Sequence, residues 1–287
     1  MGRRVPWWIW IAGGAALLLV VRAMSKKTRL VLTSWKENQL PPGWAKDAKR
    51  AGFHAVSKKV AQGGELWRPG EAESVFRQAD AAGLKRHGWG WHFIRSPAEA
   101  IAEGQAAAQI AKDYGIRAYW VNAEKPWAGV EGEPETENPP RELSTFVDAF
   151  RGTAPGVELI FNGFSWSKTS DGRPLLTPEV LAKFDAFGPM NYGTSRKTIA
   201  NKYKARSARA RELGIDFAPM HGTGRMDAGG KVWGFVESGP DAPGLVELVK
   251  SDPPRYLAFW YGAGSREMLT GGSAANPPLS ILARRIS

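Results

Sequence analysis

Trp120, Asn122 and Glu124 alternate along the apolar run 116–124, and alternation in a strand places all three on one face. An apolar indole beside a carboxyl group penalises its charged form, so the group can stay protonated and deliver a proton near neutrality. An amide next to it can both donate to and accept from a polar substrate group. Met190 and Tyr192 stand in the same relation at the end of 184–192. Asn162 ends the run 157–162, His221 ends 215–221, and His92 and Trp260 sit near the ends of 84–93 and 255–261. Trp35 and Trp127 lie at or just beyond such ends, as do Trp91, Trp166 and Trp233. Indole faces stack on the C–H surfaces of sugars, so this recurrence points to a carbohydrate groove. Glu124 with His92 and His221 could be read as a metal set. No His-x-His pair or other ligand spacing supports it, so neither a metal nor a cofactor is expected.

Eight short β-rich runs hold these residues: 29–35, 53–58, 84–93, 116–124, 157–162, 184–192, 215–221 and 255–261. Helical patterns lie between them, at 44–51, 71–82, 97–114, 141–151, 177–183, 196–213 and 244–250. Gly52, Gly83, Gly115 and Gly214 follow four of the helices, where a left-handed C-cap calls for glycine. Repeated β-then-α units imply parallel strands with right-handed crossovers, and eight of them imply an α/β fold of the (β/α)8 TIM-barrel kind. An open doubly wound sheet is the alternative, but no Gly-rich phosphate loop follows the first run. The long strand-to-helix connections, 125–140, 163–176 and 222–243, mark the end of the barrel where active sites are built.

With the strand ends in place, Glu124 two residues after Asn122, Met190-x-Tyr192, and Trp260 resemble the chitinase-like glycoside hydrolases of family eighteen. Those barrels carry an Asp-x-Glu, a Met-x-Tyr and a floor tryptophan at corresponding strand ends. The lysozyme-like barrels of family twenty-five, which also have an Asp-x-Glu on a strand, are a second possible relative. The resemblance implies that Glu124 protonates the glycosidic oxygen while the substrate's own 2-acetamido group attacks the anomeric carbon, an exception to the two-carboxylate scheme. It implies that Tyr192 holds the acetamido group and Trp260 stacks beneath the sugar. The family's aspartate before the acid is Asn122 in this chain, and an amide cannot balance the positive charge of an oxazolinium. Glu37, Asp227, Glu237 and the acidic segment 131–137 are candidate replacements. Two readings follow: a hydrolase of an N-acetylated polysaccharide such as peptidoglycan or chitin, with Glu124, Asn122 and Tyr192 catalytic, or an inactive barrel that binds wall sugar or a protein partner in a phage particle or cell envelope. In both, Trp260, Met190, His221, His92, Asn162, Trp35 and Trp127 line the groove.

The remaining signal is at the N-terminus. Residues 5–21 carry no charge and include Trp7, Trp8 and Trp10. With Ala23 and Met24 they reach the ~20 residues that cross a bilayer. Residues 1–28 are therefore expected to be a single-pass anchor contacting lipid through 5–24, and 29–287 a barrel domain turned toward the cell envelope. Lys26, Lys27 and Arg29 just after the span argue against a cleaved signal peptide. Both flanks are basic, so charge alone does not fix the orientation. The formal charge of +11 is concentrated here: the first 29 residues hold six Lys/Arg and no acid, leaving 33 basic against 28 acidic residues. That mild surplus suits an anionic polymer such as cell wall, and no basic stripe calls for nucleic acid. The absence of cysteine excludes disulfides and thiolate metal sites.

Overall fold

A computed structural model describes residues 28–123, 138–163, 176–191, 196–222, 225–226, 232–233 and 241–260. The expected anchor lies outside the described residues, as do Glu124, Trp127, Trp166 and Tyr192. Among the described residues no helix is long and apolar enough to cross a membrane.

The first half of the chain runs β1 (Arg29–Ser34), α1 (Trp44–Arg50), β2 (Ala55–Gln62), β3 (Glu65–Leu66), α2 (Pro69–Ala81), β4 (Lys85–Trp91), α3 (Pro97–Asp113) and β5 (Ala118–Ala123). Next come α4 (Pro139–Thr153), β6 (Glu158–Gly163), α5 (Pro178–Leu181), β7 (Ala186–Pro189) and α6 (Arg196–Glu212). The chain continues with β8 (Asp216–Phe217), β9 (Met220–Gly222), the hairpin β10 (Arg225–Met226) and β11 (Val232–Trp233), α7 (Asp241–Ser251) and β12 (Tyr256–Trp260). The parallel order is β8-β7-β6-β5-β4-β2-β1-β12-β9. Its two ends belong to one run of chain, since β8 pairs with β7 and β9 pairs with β12. Between them Ala218 N donates to Phe187 O at 2.8 Å, and Ala258 N donates to Pro219 O at 3.0 Å. Proline has no N–H for the ladder, so the run divides at Pro219. The result is a TIM-like barrel, and each of the eight expected runs overlaps a strand of it.

Local signals set the element ends. Ser96 caps α3 by accepting from Glu99 N at 3.3 Å, with Pro97 in the first turn. Gly52, Gly83, Gly115 and Gly214 take φ of 91°, 72°, 62° and 67°, which a β-carbon would disfavour. Two apolar layers follow from strand alternation. Val31, Ala55, Trp89, Trp120, Ile160, Ala218, Met220 and Tyr256 fill the inside of the barrel. Leu32, Val56, Tyr119, Phe161, Phe187 and Phe259 face the helices. The sequence Gly88-Trp89-Gly90-Trp91 shows how tightly the layers fit. A β-carbon on Gly90 would lie 2.0 Å from the Tyr119 hydroxyl, and one on Gly88 would lie 2.5 Å from Ile116 Cδ1. Glycine on the outer face lets the helical layer close; tryptophan fills the inner one.

Candidate active site

At the C-terminal ends of the strands the inner face turns aromatic. Trp89 Nε1 donates to Ser34 O at 3.0 Å, and its ring meets Trp260 edge-on at 5.4 Å between centroids. Trp35 and Trp260 are half-buried against the inner cluster. In register, Trp91 lies beside Asn122, and Asn122 beside Asn162. Asn162 Nδ2 donates to Gly188 O at 2.8 Å, which fixes its amide across the β6–β7 seam. Met190, two residues past Gly188, is buried and bridged to Met220 on the next strand. The buried hydroxyls of Thr33 and Ser57 and the Trp91 indole N–H make no hydrogen bond among the described residues. Buried polar groups are ordinarily satisfied, so spare donors in a wall of this kind suit a polar ligand or ordered water.

A cation sits within this aromatic wall. Lys59, fully buried on β2, has its Nζ 4.0 Å from the Trp67 ring centroid, 5.4 Å from Trp91 and 5.5 Å from both Trp35 and Trp89. Gln62 Oε1 accepts from the same Nζ at 2.7 Å. Indole faces attract an ammonium through their quadrupole and replace part of its lost hydration. A break in register between Lys59 and Ala61 bends the strand just past the lysine. Among the described residues, the inner face at this end carries a lysine and two asparagines but no carboxylate.

No family model and no curated protein matches the chain. Solved structures do resemble it. A family-18 N-acetylglucosaminidase from Paenibacillus barengoltzii superposes with a TM-score of 0.63 at 10% identity, over 90% of this chain and 100% of that one. A class V chitinase mutant from the plant Cycas revoluta, in complex with (GlcNAc)3, gives 0.62 at 13% identity over 90% and 99%. A putative α-L-fucosidase from Bacteroides thetaiotaomicron gives 0.56 at 9% identity over 82% and 86%. The fold is the TIM-like barrel that these structures share.

Against that fold, the expected site residues divide. Asn122, Asn162, Met190, Trp35 and Trp260 come together at the inner mouth. Glu124, directly after β5, and Tyr192 and Trp127 lie outside the described residues. His92 and His221 are not in the mouth, because Trp91 and Met220 hold the inward positions beside them. His92 is fully buried behind β4, with Nδ1 3.1 Å from Glu103 Oε2 and Nε2 2.9 Å from the Tyr119 hydroxyl. Glu103 also accepts from Phe93 N at 3.2 Å and Ile94 N at 3.1 Å, and so holds Ile94 at a φ of 34°, unusual for a β-branched residue. His92 thus belongs to a clamp on the β4–α3 loop. His221 packs against Tyr203 and Phe259, with Nε2 3.5 Å from Asn191 Nδ2. Burial, with Arg206 nearby, lowers its pKa to about 3, so it stays neutral. Arg206 donates from α6 to Met190 O at 2.8 Å and to Asn191 Oδ1 at 3.2 Å, which positions the end of β7 from outside.

Glu37, a candidate replacement carboxylate, also turns away from the mouth, where it accepts from Ser74 on α2. Sequence reasoning missed Lys59 and Trp89. The expected second strand ended at Lys58, one residue short of Lys59. Ala55-x-Ser57-x-Lys59 nevertheless shares a face with inward Ala55, and that alternation was the available signal.

Proposed function

We propose that this chain is a membrane-tethered, glycoside-hydrolase-like barrel that acts on an N-acetylated polysaccharide such as peptidoglycan or chitin. The observation that carries the reading is the tryptophan-lined inner mouth in which Asn122 and Asn162 stand side by side on β5 and β6. Indoles supply stacking surfaces for sugar rings, and amides match the donor and acceptor of an acetamido group. In the sequence Trp120, Asn122 and Glu124 alternate and so share one strand face, and an indole beside a carboxyl group penalises its charged form. In the substrate-assisted route, Glu124 donates its proton to the leaving glycosidic oxygen and the 2-acetamido carbonyl closes on the anomeric carbon. Tyr192 holds the acetamido group, and Trp260 supports the ring. Residues 5–24 anchor the barrel in the bilayer.

A second reading is favoured by Asn122 standing where a carboxylate would steady the oxazolinium. It is a barrel retained for binding wall sugar or an envelope or phage partner. Sugar release from chitin oligomers and purified peptidoglycan separates the two. If the chain is a hydrolase, Glu124→Gln lowers the rate by about a hundredfold or more. Asn122→Asp raises it by restoring the missing charge. Turnover unchanged in Glu124→Gln would remove the assignment. Activity appearing only in Asn122→Asp would establish the binding role.

A further inference from the structure

The base of the barrel, where the strands begin, holds an uncompensated patch of positive charge. Over much of that end each arginine meets a carboxylate: Arg255 with Asp216 and Glu158, Arg211 with Asp252, Arg151 with Asp185. The sector beside β1 differs. Arg29, Lys49, Lys85 and Arg117 are exposed there, and Lys85 and Arg117 have no carboxylate partner among the described residues. Lys85, Arg86 and Arg117 line a cavity of about 320 Å³ between the turns at Gly83 and Gly115. Its one carboxylate, Asp80, is already engaged by Arg86 Nε at 3.0 Å. His54, under the same sector, has its pKa lowered by burial and then by Arg29, Lys49 and Lys85, the sign of a positive local field.

The chain enters β1 at this sector. Four residues, 25–28, separate the end of the apolar segment from Arg29, and two of them are Lys26 and Lys27. At 3.3–3.6 Å per residue the five steps from Met24 to Arg29 span at most about 18 Å. A bilayer holding residues 5–24 therefore lies within reach of the base, at no more than about two screening lengths of ~8–10 Å. We propose that the sector of Arg29, Lys49, Lys85, Arg86 and Arg117 docks on anionic phospholipid headgroups, with a headgroup phosphate entering the cavity. The barrel then sits base-down on the membrane with its mouth turned away from it. This rests on the reading of residues 5–24 as an anchor.

The chain has no cysteine, so single labels can be placed cleanly. Full-length protein carrying a fluorophore at Lys112→Cys on the base, or at Glu65→Cys at the mouth end, would be reconstituted into vesicles with a headgroup-bound quencher. The vesicles would be neutral phosphatidylcholine, or the same lipid with phosphatidylglycerol. Docking predicts strong quenching of the base label in anionic vesicles alone, none at the mouth label, and release at about 0.5 M salt, where screening shortens to about 4 Å. Lys85→Gln with Arg117→Gln should shift the docked population by roughly fivefold per cation removed. Equal quenching in neutral vesicles, equal quenching of both labels, or insensitivity to salt would overturn the proposal. So would capture of soluble polyphosphate without preference for anionic vesicles, which would assign the face to a polymer. Flotation with neutral vesicles in high salt reports on the anchor alone. A chain that fails to float loses the tether, and the proposal with it; one that floats but shows no anionic dependence refutes docking while leaving the anchor standing.

Discussion

The two ends of the barrel solve the problem of closing a sheet in opposite ways. At the base the inward polar groups are matched in charge. Arg255 binds Glu158 and reaches Asp216 at 2.6 Å, and Tyr256 donates to the other oxygen of Glu158 at 2.8 Å. At the mouth, Lys59 lies among indole rings, Thr33 and Ser57 keep unused hydroxyls, and no carboxylate stands on the inner face among the described residues. Matched charges hold strands together without a ligand. A wall of tryptophans with spare donors is an inefficient way to do that, and a suitable way to receive a sugar. The difference marks the C-terminal end of the sheet as the candidate site, the end where barrels of this architecture carry theirs.

The sharpest test of this contrast is Trp120, which lies below Asn122 on β5 and is fully buried. It belongs to the scaffold although it shares the mouth's residue type. Trp120→Ala should cost about 3–5 kcal/mol by chemical denaturation, the scale for emptying a large aromatic from a core. A loss under about 1 kcal/mol would mean the interior collapses around the gap and is no rigid support for a site. Arg255→Met and Trp260→Ala then form a crossed pair. Arg255→Met should lower stability by about 2 kcal/mol, because it strips charge-assisted hydrogen bonds from Asp216 and Glu158, and should leave N-acetylglucosamine-oligomer affinity unchanged. Trp260→Ala should weaken that affinity by about 1 kcal/mol, read by tryptophan-fluorescence quenching, with the smaller effect on stability. If both variants moved the same observable, the division between the two ends would fail.

Much of the scaffold was legible because its signals are local. The periodic apolar runs and the glycines ending the helices were enough to place the strands, and Trp120-x-Asn122 gave the correct inward face on β5. His92 and His221 were misjudged for a physical reason: their position at a strand end was read, but their phase was not. Trp91 and Met220, one residue earlier, take the inward places, and alternation turns the histidines toward α3 and α6. Lys59 was missed because burying an ammonium is costly in isolation. The compensation comes from Trp67, Trp89 and Trp91, residues on other strands and loops that no local window can assemble. The contribution of Asn191 and Arg206 was equally hidden, since it depends on a helix-to-strand contact across a loop.

The smallest expected effect concerns how the mouth is tied to the helical layer. Glu71, at the start of α2, accepts from Glu37 N at 2.9 Å, from Arg68 at 2.7 Å and from Lys58 at 3.3 Å. Lys58 in turn donates to the carbonyl of Trp35, so Glu71 steadies the turn that presents this indole. Partial burial alone would raise the Glu71 pKa. The Glu37 amide, Arg68 and Lys58 outweigh it and bring the value from 4.5 to about 2. A carboxylate with a depressed pKa in the folded state contributes stability at pH above its unfolded value and loses it as acid protonates the folded form. Glu71→Gln should therefore be less stable than the wild type by about 1 kcal/mol at neutral pH, a modest figure because the side chain is 24% exposed and its ion pairs are screened. The gap should hold down to about pH 4.5, narrow below it, and close near pH 2, the interval between the two pKa values. Urea denaturation of both proteins across that range measures it. A gap that widened with acid would mean that Glu71 is held protonated by burial and that the turn carrying Trp35 is fixed by something else. Salt supplies a cross-check: moderate ionic strength should shrink the Glu71→Gln gap, which rests on screened pairs, while leaving the cost of Trp120→Ala, which rests on packing, unchanged.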